Sequence, residues 1–148
     1  EKEMSQNLGQ IPYSCFILSI KGVGEVTAAG IIGEVGDFSK FNTIAEIEKL
    51  AGLDLFEISS GKHKGTRRIS KRGRSLLRKF MYFAALNVIR KGGILHKEYQ
   101  AFVDRGKPKL KALIAIARRL LRIMFALVRN HSEYIVNYSK PSQLKMAA

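Results

Sequence analysis

Ile17-Leu18-Ser19-Ile20-Lys21-Gly22-Val23-Gly24-Glu25-Val26-Thr27-Ala28-Ala29-Gly30-Ile31 is the stretch whose reading decides the fold. Its apolar frame, Ile17-x-x-Ile20 before Gly22-Val23-Gly24 and Ala28-x-x-Ile31 after, matches the helix-hairpin-helix pattern position for position. Two glycines allow a tight reversal and close backbone approach. Ala28 and Ala29 are small enough for the two helices to pack closely. The second helix then points its free N–H groups and positive dipole end outward, toward a phosphate. Two plainer readings stand beside this one: an ordinary helix–helix turn, or a degenerate hairpin kept only for packing. Glu25 at the start of the second helix works against an anion there.

Outward from this stretch the pattern stays helical. Residues 1–10 read as a polar lead-in, the end of a preceding helix, and Pro12 suits a first helical turn. Gly36-Asp37 closes the second helix, with Phe38 and Phe41 over the turn. Thr43 opens a helix over Ile44–Ala51 that Gly52 ends. Residues 53–69 lack a helical period, and Leu55, Phe56 and Ile58 read as the apolar half of a short extended or hairpin-like segment. Ser70 is the expected N-cap of a helix to Arg90, with Leu77, Phe80, Met81, Ala84 and Val88 inward and Arg74 and Arg78 outward. Gly92-Gly93 breaks it. A helix over His96–Val103 stops near Gly106, and Pro108 starts the longest, to Arg129. Its expected apolar stripe is Leu110, Leu113, Ile114, Ala117, Leu121, Met124 and Val128. Its polar side reads as a cationic rail of Lys111, Arg118, Arg122 and Arg129, with Arg119 adjacent. The expected fold class is all-α: a compact helical domain over 11–130 with a short non-helical basic insert, and a loosely ordered tail over 131–148.

That insert, Ser59-Ser60-Gly61-Lys62-His63-Lys64-Gly65-Thr66-Arg67-Arg68-Ile69-Ser70-Lys71-Arg72-Gly73-Arg74, carries seven Lys/Arg and no acid. Isolated charges are too costly to bury, so it belongs on the surface, facing a polyanion. Across the chain the formal charge is +14. It is unevenly placed, with 9 acids against 4 Lys/Arg in residues 1–60 and 3 against 22 in residues 61–148. A nucleic acid is therefore the first partner to consider, and binding should weaken steeply with salt. Charge removal at Arg118 and Arg122 should flatten that dependence. A serine beside such a field could act as a nucleophile, although Ser-Ser-Gly is also ordinary turn chemistry.

Other chemistry is poorly supported. His63, His96 and His131 are far apart, no CxxC or HExxH spacing occurs, and the acids form no two-metal cluster. Gly61-Lys62 lacks the earlier glycine and the following Ser/Thr of a P-loop. The single cysteine, Cys15, reads as a small buried hydrophobe in a reducing cytosol. The apolar run Ile11–Ile20 is too short to span a bilayer and lacks a basic leader. The expectation is a soluble, cytoplasmic protein without a membrane partner. The opening Glu1-Lys2-Glu3 suggests a fragment.

Ile20-Lys21-Gly22-Val23-Gly24, Gly36-Asp37 with Phe38 and Phe41, and Leu50-Ala51-Gly52-Leu53 occur in an order that resembles one family. Ser60-Gly61, Arg68-Ile69-Ser70-Lys71-Arg72-Gly73, Leu76-Leu77-Arg78 and Arg105-Gly106-Lys107-Pro108-Lys109 extend the match. The chain resembles the C-terminal domain of the Piv-related insertion-sequence transposases, the bridge-RNA-guided DEDD recombinases. The resemblance implies that Ser60 attacks a DNA phosphodiester to give a phosphoserine link, with Ser59 at a variable position. It implies a magnesium-binding Asp-Glu-Asp-Asp set on an N-terminal RuvC-like domain, which has no counterpart in these residues. It implies a composite site in a homo-oligomer assembled on DNA and a structured guide RNA, so that this piece alone does not cleave. Gly22, Gly24, Lys62, Lys64, Arg67, Arg68, Lys71, Arg72, Arg74, Arg118 and Arg122 are the candidate nucleic-acid contacts, chosen on charge and proximity. A solvated surface cation is the plain alternative for each charged one.

Overall fold

In a computed structural model, which describes residues 2–62 and 65–136, the core is laid down along one helix, α7 (Lys109–Asn130). Its periodicity puts Ile116, Leu120, Leu121 and Met124 fully out of solvent. Against it pack α2 (Ser14–Leu18), α4 (Ile44–Ala51), α5 (Ser75–Val88) and α6 (His96–Asp104), while α3 (Glu25–Val35) crosses α5 and α2. α1 (Lys2–Gly9) lies on α2 and α3 and contributes buried Leu8. The expected stripe needs adjusting at its first position: Leu110 is exposed, and Ala112, Ile116, Leu120 and Phe125 share the burial instead. The only sheet among the described residues is the antiparallel pair β1 (Leu55–Glu57) and β2 (Arg67–Ile69). The fold is all-α with one small hairpin.

Gly22-Val23-Gly24 does form the tight link between two helices. Gly22 takes φ +107°, and a Cβ there would press to 3.2 Å from the Val88 side chain of α5. Val23 is buried and Gly24 is the N-terminal cap of α3. Ala28 and Ile31 are fully buried, and the Phe80 ring occupies the space a side chain at Gly30 would need. α3 and α5 therefore run antiparallel in close contact, Gly22 against the end of α5 and Glu34 beside Arg74 at its start. Past Gly36, the Ser39 hydroxyl and N–H both donate to the Asp37 carboxylate, which holds that carboxyl below its ordinary range. Phe38 buries beneath the edge of the Tyr13 ring.

Several expectations are corrected. α5 begins at Ser75, with Arg74 in the N-cap position and no side-chain cap; the Ser70 hydroxyl donates to the Asp54 carboxylate and accepts no helix N–H among the described residues. Arg78 does not face outward; its guanidinium donates to the Ala51 carbonyl at 3.1 Å. Cys15 is exposed, its thiol turned to the Pro12 carbonyl, since the short α2 buries Ser14 and Ile17 instead. Of the expected tail, residues 131–136 are described and 137–148 lie outside the described residues. Tyr134 N donates to Ser19 Oγ at 2.8 Å, which ties the exit of α7 to α2. Among the described residues no helix is long and apolar enough to cross a membrane.

Candidate nucleic-acid interface

The basic insert is a β-hairpin clamped at its base. Leu50 to Asp54, the end of α4 and the residues after it, meet Ser70 to Arg74 on the return leg. Ser70 N donates to Asp54 O, Lys71 N to Gly52 O and Arg74 N to Leu50 O, at 2.9, 3.0 and 2.6 Å. The two backbones are so close that a Cβ on Gly73 would overlap the Leu50 carbonyl and the Gly52 N–H. Gly52 takes the left-handed conformation that ends α4, and a Cβ there would come within 2.6 Å of Arg78 Nη1 and 2.7 Å of Gly73 N. Lys71 is held at φ +55°, a conformation that disfavours any residue with a Cβ. Both glycines and the strained lysine belong to one contact, which fixes where the hairpin leaves the body.

α4 is itself held by charge. Glu48 is buried, with 7% of its side chain exposed, and its two oxygens accept from Arg118 Nη2 at 3.1 Å and Arg122 Nε at 2.8 Å. This corrects the expected cationic rail. Arg118, 18% exposed, is turned inward, and its Nε is buried without a hydrogen-bond partner among the described residues. Arg122 keeps about half its side chain in solvent, Arg119 pairs with Glu98, and Arg129 donates to the Asn42 carbonyl. Arg118 and Arg122 thus support α4 from behind, while Lys111, Arg119, Arg122 and Arg129 remain exposed. A signal for this existed. Glu48 falls on the buried phase of α4 with Ile44, Ile47 and Ala51, and an acid in that phase requires a cation.

The pairing register Leu55↔Ile69, Phe56↔Arg68, Glu57↔Arg67 sorts the hairpin's side chains onto two faces. Leu55, Glu57, Arg67 and Ile69 share one, where Glu57 and Arg67 pair at 3.2 Å and Ile69 packs on the core. Phe56 and Arg68 share the other; Ile58 and Ser60 follow beyond the end of β1 on the same leg. The hairpin-like segment expected around Leu55, Phe56 and Ile58 is present, and all three side chains are exposed. Ser59 and Ser60 are exposed near the distal end, followed by Gly61 at φ +58° and exposed Lys62. His63 and Lys64 lie outside the described residues.

The hairpin and its exit carry Ser60 and Lys62 near the tip, Arg67 and Arg68 on the return strand, and Lys71 and Arg72 at the base, all exposed. Arg74 is drawn to Glu34, donating to its carbonyl and lying 3.8 Å from its carboxylate. Among the described residues Lys62, Arg68, Lys71 and Arg72 make no ion pair. Gly22 and Gly24 are not part of this cluster. They sit at the other end of α5, whose 14 residues span about 20 Å. At that end Glu25 accepts from Ser5 Oγ at 2.6 Å, placing a carboxylate on the first turn of α3. Magnesium does not fit the residues around Ser60: Glu57 is engaged by Arg67, and the described residues hold no cluster of metal-binding side chains.

Residues 15–100, which contain the glycine turn, the clamp and the whole hairpin, match the Transposase IS116/IS110/IS902 family. The chain belongs to this transposase family. It is 28% identical over all 148 residues to the insertion element IS110 43.6 kDa protein of Streptomyces coelicolor, covering 36% of that protein. It is 30% identical over 122 residues, 80% of the chain, to the transposase for insertion sequence element IS1111A of Coxiella burnetii, covering 33% of it. It is also 30% identical over 124 residues, again 80% of the chain, to the pilin gene-inverting protein of Moraxella bovis, covering 37%. The chain spans about a third of the length of the curated relatives it matches. What the family match covers is the hairpin and the elements that aim it.

Proposed function

We propose that this chain is the DNA-binding and nucleophile-bearing part of a transposase, in which the β1–β2 hairpin presents Ser60 to a DNA phosphodiester. The observation that carries the reading is the placement of Ser60, exposed on a clamped hairpin with Lys62, Arg67 and Arg68. Ser60 Oγ attacks phosphorus and gives up its proton. A serine–phosphate bond forms as the bond to one deoxyribose oxygen breaks, and that oxygen leaves as a hydroxyl. A DNA hydroxyl then attacks the phosphoserine and frees Ser60. One phosphoester bond is exchanged for another throughout, so no oxidant and no nucleotide energy source is required. Lys62, two residues from Ser60, balances the charge that gathers on the phosphoryl oxygens, and Arg68 holds the adjoining phosphate. Lys71 and Arg72, at the hairpin base, hold the flanking backbone. Arg118 and Arg122 act from behind, by holding α4.

The rest of the proposal concerns the longer protein: a metal-binding acidic set elsewhere, assembly as a homo-oligomer on DNA with a structured guide RNA, and action in the cytoplasm. The test uses the full-length protein containing this chain, with DNA, RNA and magnesium. A covalent protein–DNA adduct on a denaturing gel, retained in Ser59→Ala and lost in Ser60→Ala, is the expected result. Product formation without any adduct in the wild type would assign the attack to water or a DNA hydroxyl. The hairpin would then be a DNA-binding element only.

A further inference from the structure

The hairpin that carries Ser60 is not purely cationic. Leu55, Phe56 and Ile58 are large apolar side chains left 44%, 38% and 71% exposed, although the core lies within reach of the same hairpin through Ile69. Single exposed apolar residues need no explanation, but Phe56 and Ile58 are both exposed two residues apart on one leg, with Ser60 two residues further along it. Phe56 stands directly opposite Arg68. An aromatic ring, a β-branched side chain and a guanidinium without an ion pair among the described residues, close together on one hairpin, match the chemistry of nucleotides with both sugar-phosphate and base exposed. The cation meets phosphate, the ring stacks on a base, and the branched side chain fills the space that an unstacked base leaves. The surrounding positive charge excludes a basic partner and favours a polyanion.

We infer that Phe56 and Ile58 form an apolar wedge that enters DNA whose base stacking is broken beside the phosphate facing Ser60, with Arg68 holding the adjoining phosphate. The inference rests on the proposed DNA-facing role of the hairpin and adds the state of the DNA that the hairpin selects. An intact duplex offers Phe56 and Ile58 only the edges of its grooves. A duplex with an unpaired step offers a stacking face. Selectivity for the opened form follows from the apolar side chains, and overall affinity from the cations.

Binding of the full-length protein to two duplexes of equal length and charge, one fully paired and one with a two-base mismatch at the junction, separates these contributions. The expected result is about tenfold tighter binding to the mismatched duplex, the scale of one base–aromatic stack. That preference should fall to near unity in Phe56→Ser with Ile58→Ser, while affinity for the paired duplex changes little. Arg68→Ala should weaken both duplexes equally and leave the ratio intact. Both serine substitutions are at exposed positions, and an unchanged melting temperature checks that the hairpin persists. A wild-type ratio near one, or a ratio unmoved by the double substitution, overturns the wedge while leaving the hairpin as a DNA contact. Affinity unmoved by Arg68→Ala together with Lys62→Ala overturns the hairpin's DNA role itself, and the wedge with it.

Discussion

Replacing Glu48 by Gln tests whether α7 supports α4 or binds a polyanion. The carboxylate is almost fully buried and bonded to two arginines, so the substitution removes one charge and leaves two. Arg122 loses little, because half of its side chain is in water and screened. Arg118 is left buried, with Nε already lacking a partner among the described residues. Breaking a buried pair from one side costs about 3–5 kcal/mol. With one of the two cations screened, we expect about 3 kcal/mol, or a fall in melting temperature on the order of 10 °C for a chain of this size. Urea titration of wild type, Glu48→Gln, Arg118→Met and Glu48→Met with Arg118→Met closes a cycle. The double substitution should recover most of the loss, since apolar side chains can replace a buried pair at little cost. A loss of less than about 1 kcal/mol, the scale of a surface pair, would refute the argument. So would a double variant no more stable than Glu48→Gln. The same variants separate the two roles in binding. Arg118→Met should leave the salt dependence of DNA affinity unchanged, whereas Arg68→Ala should lower its slope by about one.

Two further substitutions probe the clamp. Gly73→Ala forces a methyl into the Leu50 carbonyl and should cost about 1–3 kcal/mol, detected as faster proteolysis within the hairpin before the helical core is cut. Lys71→Gly should remove the penalty of the left-handed backbone, about 1 kcal/mol, and raise the melting temperature while weakening DNA binding. An equal loss of both stability and binding would show that the Lys71 side chain packs rather than contacts DNA.

The helix boundaries that were legible in the sequence are those with a local cause. Thr43 and Gly52 bracket α4, Gly92-Gly93 ends the region of α5, and Pro108 starts α7, each through backbone chemistry that needs no distant partner. Three of the errors involve a partner far along the chain. Ser70 has the chemistry of an N-cap, but Asp54 takes its hydroxyl across 16 residues. Arg118 and Arg122 have the spacing of an outer face, but Glu48, 70 and 74 residues away, draws them to α4. Arg78 similarly answers a carbonyl left open where α4 ends. The candidate nucleophile and its neighbouring cations were legible because they are close in sequence. That the glycine turn lies at the opposite end of α5 was not, since only the antiparallel packing of α3 on α5 separates them.

From Asp54 to Ser60 the outgoing leg is six residues, an arm of about 20 Å. At that radius a five-degree tilt at the root would move the proposed nucleophile by about 2 Å, more than the roughly 1 Å misplacement that can cost a hundredfold in rate. Pointing accuracy is therefore set at the pivot rather than at the tip. Glycines without side chains, a lysine in an unfavourable conformation and a carboxylate gripped by two arginines all lie there, where play in the joint would be magnified most.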